Sequence, residues 1–197
     1  MNSIHTEADP PAVVSIPCER HEGGHKIYPL ALSLDNLKKL WEIGKQYRTI
    51  FGHEFGDDFW KFVSFFVTLS EGEQAKANGL FWIVDDFAGM LYLTDIDPPI
   101  DTSVHFAFYK SLGSCKIPIM LEGLNYCFQK YNFHRLSTEV PLFATKYTFE
   151  KVKALGFRYE GRKLESRLFD GKLFHVDFYG LLQKSFYETF AKRKEVG

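Results

Sequence analysis

The chain has 197 residues, a net charge of −1 and 45% hydrophobic residues. That is enough apolar matter for one well-buried domain, and too much for a disordered chain. Near-neutral charge without long basic or acidic blocks excludes a nucleic-acid-coating protein, and no apolar run reaches the length of a membrane span. The N-terminus has no basic-then-apolar leader. The three cysteines, Cys18, Cys115 and Cys127, form no disulfide scaffold, so a cytoplasmic location is expected. The aromatic load is high, with 20 Phe and 10 Tyr, which suits a ring-rich core and a ring-lined cleft.

Residues 1–25 read as a flexible polar tail and 26–197 as one folded domain. In the tail Cys18, His21 and His25 are zinc-competent at workable spacing, but they are one ligand short of a structural site, so no metal is expected. Ile27 to Leu32 is a short apolar run and the first strand. Ser33 or Asp35 can cap a helix, and Leu37, Leu40, Trp41, Gly44, Tyr47 and Phe51 recur at helical spacing up to Gly52. Asp57-Asp58 opens a second helix, whose stripe is Phe59, Phe62, Val63, Phe66 and Leu69. Leu80 to Val84, Gly89 to Thr94 and Val104 to Tyr109 read as three strands, with Pro98-Pro99 in the loop before the last. Lys116 to Tyr131 is a helix, Leu136 to Val140 a strand, and Phe143 to Leu155 a helix closed by Gly156. Asp170-Gly171 then turns a hairpin, because a type I′ turn needs positive φ at both central residues. Leu182, Phe186 and Phe190 suggest a terminal helix. Glu139 shares one strand face with Arg135 and Ser137, so an ion pair with Arg135 is one expectation for it.

The run from Ala154 to Leu182 holds L-G-F-x-x-E-G, then D-G, then D-x-x-Y-x-x-L-L. This resembles the C-terminal half of GCN5-related N-acetyltransferases (GNAT). It looks closest to the branch that acetylates ribosomal-protein N-termini. The resemblance covers roughly Gly79 to Leu182. It implies an α/β (α+β) single-domain fold: a mixed, mostly antiparallel sheet of about seven strands flanked by helices. The order of elements read above agrees with it. In that fold the fourth and fifth strands, here the runs 104–109 and 136–140, splay apart.

The resemblance implies acetyl-CoA as cofactor. Its pantetheine arm would lie along the backbone of Phe106, Ala107 and Phe108. Its pyrophosphate would meet the helix start after the loop Lys110, Ser111, Leu112, Gly113, Ser114, Cys115 and Lys116. Family members read R/Q-x-x-G-x-G/A there. One register gives Lys110, Gly113 and Cys115; another gives Ser111, Ser114 and Lys116. Neither reproduces the pattern. Where many members carry a Tyr that protonates the leaving thiolate, this chain has Val152, and Tyr147 lies five residues earlier.

The base expected to take the acceptor's proton is Glu139, with His105 and Asp97 as the next candidates. The loop holding His53, Glu54 and Phe55, together with Trp60, is the expected substrate rim. Asp177 matches a family residue and reads as structural, Cys115 as a loop thiol and Cys127 as core. The first functional reading is an N-acetyltransferase moving an acetyl group from acetyl-CoA to a primary amine, on a small molecule or a peptide. The alternative is a protein of this fold without turnover, acting as a binding or assembly module. A transferase with a bulkier acyl donor is a third reading. No nucleic acid or membrane partner is expected. A homodimer through Phe-rich hairpin faces is.

Overall fold

The computed structural model describes residues 14–16, 24–47, 55–68, 76–110, 112–144 and 146–194. Its strands are β1 (Val14–Ile16), β2 (His25–Pro29), β3 (Val67–Thr68), β4 (Lys76–Ala77), β5 (Leu80–Val84), β6 (Gly89–Asp97), β7 (Asp101–Phe108), β8 (Arg135–Pro141), β9 (Arg158–Phe169) and β10 (Lys172–Leu182). Its helices are α1 (Leu34–Gln46), α2 (Phe59–Phe66), α3 (Lys116–Tyr131), α4 (Lys146–Ala154) and α5 (Gln183–Lys194), with a 3-10 turn at Gly113–Cys115.

Local chemistry accounts for the boundaries. The Ser33 hydroxyl accepts from the Asn36 amide and starts α1. The Asp58 carboxylate accepts from the Trp60 and Lys61 amides and starts α2. Asp170 and Gly171 have φ of 49° and 70°, the double positive that turns β9 into β10. The first helix stops at Gln46, short of the expected Gly52, because Tyr47 has left the helical conformation at φ −124° and ψ 57°; residues 48–54 lie outside the described residues. The second helix stops at Phe66, not Leu69. Val67 and Thr68 are β-branched and pair with β4 instead, while the Asn78 side chain donates to the Ser64 carbonyl at the helix end.

The main sheet has eight strands in the order β1-β2-β5-β6-β7-β8-β10-β9. Sequence analysis expects about seven. The added one is β1, which pairs antiparallel with β2 from inside the segment assigned to the tail. Every neighbouring pair is antiparallel except β7 and β8.

Side chains alternate across the sheet and form a core on each face. On one face Leu91, Leu93, Val104, Leu136 and Leu181 pack with Ile119 and Leu124 of α3, Val152 of α4 and Phe186 of α5. On the other, Phe81, Met90 and Ala107 pack with Leu37 and Leu40 of α1 and Phe62 and Phe66 of α2. Among the described residues no helix is long and apolar enough to cross a membrane.

Candidate active site

The parallel pair β7 and β8 shares one bridge, Ser103 with Ser137. Beyond it the strands part, as the sequence reading expects. Below the parting the strands are clasped: the Ser137 hydroxyl lies 2.9 and 2.8 Å from the two Asp101 carboxylate oxygens. Arg135 reaches the same carboxylate at 3.2 Å and Glu160 at 2.5 Å. Gly123 lets α3 approach β7, since a Cβ there would lie 3.0 Å from Leu91 and 3.4 Å from Phe106. That closeness fixes Phe106 on the α3 side of the opening.

Two residues past the bridge on each strand stand His105 and Glu139. Alternation puts both on the face that carries α1 and α2. The fold therefore sets these two residues on one face, at equal offsets from the bridge on the two strands that part. The His105 ring stacks on Tyr92 at 4.5 Å and 12°, and its Nε2 lies 3.1 Å from the Thr94 hydroxyl. Burial drives its pKa down to about 4; Asp95 opposes that shift and Arg167 adds to it. The imidazole is thus neutral at neutral pH, the form that can accept a proton. Glu139 is ion-paired at 3.2 Å, with Arg167 of β9 and not with Arg135.

Asp97 lies on the other side of the bridge. It pairs with Asp101 at the exposed β6–β7 tip, and Asp101 is about 13 Å along β7 from His105 at ~3.3 Å per residue. On the rim, Phe55 packs edge-on against Phe62 at 5.4 Å and Phe65 at 5.8 Å. Phe65 meets the edge of Tyr92 at 5.6 Å. Rings thus run from the α2 side down to His105. Trp60 is 62% exposed beside this run. His53 and Glu54 lie outside the described residues.

The loop between β7 and α3 is a 3-10 turn. Gly113 opens it at φ +51° with nothing within 4 Å of where a Cβ would sit, so the glycine serves backbone shape and leaves open space. Ser114 is exposed. Lys110 points away from the helix start, donating to the Asp86 carbonyl at 3.3 Å. Lys116 and Lys151 instead converge on one ring, with their ammonium groups 5.6 and 6.0 Å from the centre of Phe108. Phe108 also lies nearly parallel to Phe106, at 13°. Ala107 is buried against the α1–α2 side.

Cys115 is not the expected loop thiol. It is 4% exposed and disulfide-bonded, which removes it from the surface a ligand would meet. Cys127 is the expected core residue, a free thiol that burial pushes up to about 12. His25, one of the zinc-competent residues, is engaged by Asp85 at 2.6 Å, while Cys18 and His21 lie outside the described residues. Among the described residues no group of His, Cys, Asp and Glu could hold a metal ion. Asp177 is structural, as expected: it is buried and held by Arg162 at 2.6 and 3.1 Å.

Sequence reasoning missed Arg167 and Lys151. Basic character alone marks neither, because each acts from an element far along the chain from the strand it faces.

No family model and no curated relative matches the chain. Solved structures do. The chain is similar to spermidine N-acetyltransferase from Vibrio cholerae in complex with CoA and spermine, with a TM-score of 0.66 at 14% identity, over 81% of this chain and 97% of the other. It is similar to ribosomal-protein-S5-alanine acetyltransferase from Vibrio fischeri, with a TM-score of 0.64 at 13% identity, over 88% and 98%. This is the GNAT fold. A dodecameric structure of the Vibrio cholerae spermidine enzyme shares it as well, with a TM-score of 0.65 at 14% identity, over 84% and 97%. Within the GNAT fold the opening between β7 and β8 is the splay that the resemblance implied, and His105 and Glu139 stand at its mouth.

Proposed function

We propose that the chain is an N-acetyltransferase that moves an acetyl group from acetyl-CoA to a primary amine. The observation that carries this reading is the parting of β7 and β8 after a single bridge, with His105 and Glu139 two residues past it on one face of the sheet. The residues present fit the cofactor. Past Ser103, the β8-facing edge of β7 around Phe106 to Phe108 is unpaired and can receive an extended amide-bearing arm. The open Gly113 turn, the first amides of α3 and the cations of Lys116 and Lys151 suit a pyrophosphate. Bound there, the cofactor supplies an activated thioester carbonyl.

The chain's own residues do the rest. An amine arrives as ammonium and must lose a proton to become a nucleophile. The proton acceptor is one of the two side chains at the mouth. The rings of Phe55, Phe65 and Tyr92 shield it from bulk water on the α2 side. Whichever of His105→Gln and Glu139→Gln loses about 10²–10⁴-fold in kcat marks the base.

The second reading, a binding module of the same fold without turnover, rests on Val152. Val152 is buried at the place where many members carry an acid. A melting curve decides whether the cofactor site exists. At about 100 times Kd, acetyl-CoA should add roughly 2.7 kcal/mol, which is several degrees in a domain of this size. Lys116→Glu should remove much of that shift. A curve unmoved by millimolar acetyl-CoA, coenzyme A and a longer acyl-CoA excludes the transferase reading and the bulkier-donor reading together.

A homo-oligomer remains part of the proposal, with its seat moved. Phe169 stacks on Phe143 of the same chain, and Phe174 meets Phe143 edge-on. The apolar groups that the hairpin presents are instead Leu164, Leu168 and Leu173, at 69%, 56% and 58% exposure.

A further inference from the structure

His105 of β7 is tied to β6 by a short run of hydrogen bonds. Its Nε2 lies 3.1 Å from the Thr94 hydroxyl, and that hydroxyl donates to the Asp95 carboxylate at 3.2 Å. The backbone brings these groups together. The buried Thr102 hydroxyl donates to the Thr94 carbonyl at 2.9 Å and holds β7 to β6 at that point. Regular alternation would send the Asp95 side chain to the face opposite Thr94. Instead the β6–β7 register shifts after Thr94, and Asp95 takes φ +50°, a conformation that Asp tolerates better than most residues. Its carboxylate returns to the Thr94 hydroxyl.

Donor counting then decides where the imidazole keeps its proton. A carboxylate only accepts, so the one hydroxyl hydrogen of Thr94 is directed to Asp95. Toward His105 the Thr94 oxygen is left as an acceptor, and Nε2 is the nitrogen that carries hydrogen. In a neutral imidazole the other nitrogen then holds a bare lone pair. Among the described residues Nδ1 has no hydrogen-bond partner. The Tyr92 ring, stacked at 4.5 Å and 12°, limits rotation of the imidazole plane. Glu139, the other candidate base, is engaged by Arg167 at 3.2 Å.

We propose that Thr94 and Asp95 are positioning residues of the transfer site: through the Thr94 hydroxyl, the Asp95 carboxylate fixes the proton of neutral His105 on Nε2 and leaves Nδ1 as the base. The inference rests on the N-acetyltransferase reading and deepens it. When Nδ1 takes a proton, the positive charge is shared with Nε2–H, whose hydrogen bond leads through Thr94 to a carboxylate. The acceptor nitrogen bonds to the acetyl carbonyl carbon as the carbon–sulfur bond of the thioester breaks. Of the two protons the ammonium gives up, one leaves through Nδ1 to solvent and the other ends on the coenzyme A sulfur.

The test reads the His105 tautomer from nitrogen–proton correlations in the NMR spectrum of the ligand-free, nitrogen-15-labelled protein at neutral pH. Wild type and Thr94→Ser should carry hydrogen on Nε2. Thr94→Val keeps the shape and removes the hydroxyl, and Asp95→Gly removes the carboxylate while suiting the positive φ. Both should show the Nδ1–H form as well. With acetyl-CoA and a panel of primary amines, Thr94→Val should lose roughly 10–100-fold in kcat, the worth of one hydrogen bond to a charged group, with KM little changed and Thr94→Ser close to wild type. Hydrogen on Nδ1 in the wild type overturns the inference, and so does a tautomer that Thr94→Val leaves unmoved. A protein that binds acetyl-CoA but acetylates none of the amines, or that keeps its kcat in Thr94→Val, overturns it too. Failure of the wild type to bind acetyl-CoA is a different result: it removes the transferase reading, and the inference falls with it.

Discussion

The face of the sheet that carries α1 and α2 is built in two ways. Between α2 and the strands β5 and β6 it is made of rings: Phe62, Phe65, Phe66, Phe81 and Tyr92 lie in edge-on, tilted or stacked contact at 4.9 to 6.1 Å. Across the opening, on β8, β10 and β9, it is made of ion pairs: Arg135 with Asp101 and Glu160, and Arg167 with Glu139. The charges of this second half keep contact with solvent. The ring half holds the fold through area removed from water. The ionic half holds little stability, because exposed pairs are worth ~0–1 kcal/mol. What it fixes is geometry, the position of charge at the mouth. His105 stands on the border, stacked on a ring from one half and within the field of a cation from the other.

The largest effect that tests this contrast is in the ring half. Phe62 is fully buried and touches Trp41, Phe55 and Phe66. Phe62→Ala should cost about 3–5 kcal/mol, read as a lower denaturant midpoint with little change in slope. A loss comparable to that of an exposed ion pair would mean that the rings close in around the gap and do not hold the fold as described.

The border residue gives the next effect. In the folded chain His105 titrates near 4, against an ordinary value of 6.5. Between those values the unfolded chain carries the extra proton, so stability rises with pH there. The contribution is complete above about pH 6.5 and is lost as pH falls through 4, in total on the order of 3 kcal/mol. Unfolding free energies at pH 7 and pH 4.5 should therefore differ more in wild type than in His105→Gln. Equal pH dependence in the two proteins would place the imidazole in an ordinary aqueous setting.

Much of the ring half is legible in the sequence, and much less of the ionic half. Helix caps at Ser33 and Asp58, the turn at Asp170-Gly171 and the stripe of α2 follow from local rules, because each depends on residues a few positions apart. The parting of the two central strands came from the resemblance carried by the hairpin. Arg167 could not be paired with Glu139 from spacing. The register of β9 against β10 shifts between Phe174 and Val176, where the one residue between them on β10 faces three on β9, between Arg167 and Lys163. A bulge of that kind re-aims side chains without a sequence mark that fixes where it falls. Arg135 was legible as a neighbour of Glu139 on one face, yet its partners, Asp101 and Glu160, come from strands on either side. Cys115 looked like a loop residue because its burial depends on packing against the core and not on its own turn.

The smallest effect separates geometry from stability within the ionic half. Gly180 of β10 lies opposite Ser137, and the Arg135–Glu160 pair passes directly over it. A Cβ at that position would meet the Glu160 carboxylate and lie 2.9 Å from the Arg135 guanidinium. Gly180→Ala should therefore push the pair apart. The atoms displaced are the far ends of flexible, partly exposed side chains, so the expected cost is below about 1 kcal/mol. Since the pair is what the methyl group displaces, Gly180→Ala should add almost nothing in a Glu160→Gln background, and the cycle should show that non-additivity. Arg135 also holds Asp101, which binds Ser137 at the last bridge before the strands part. Losing Glu160 as a partner should then loosen the root of the opening, raising KM for acetyl-CoA more than it lowers the melting temperature. Equal and additive stability losses with an unchanged KM would show that the clasp is only one more surface ion pair.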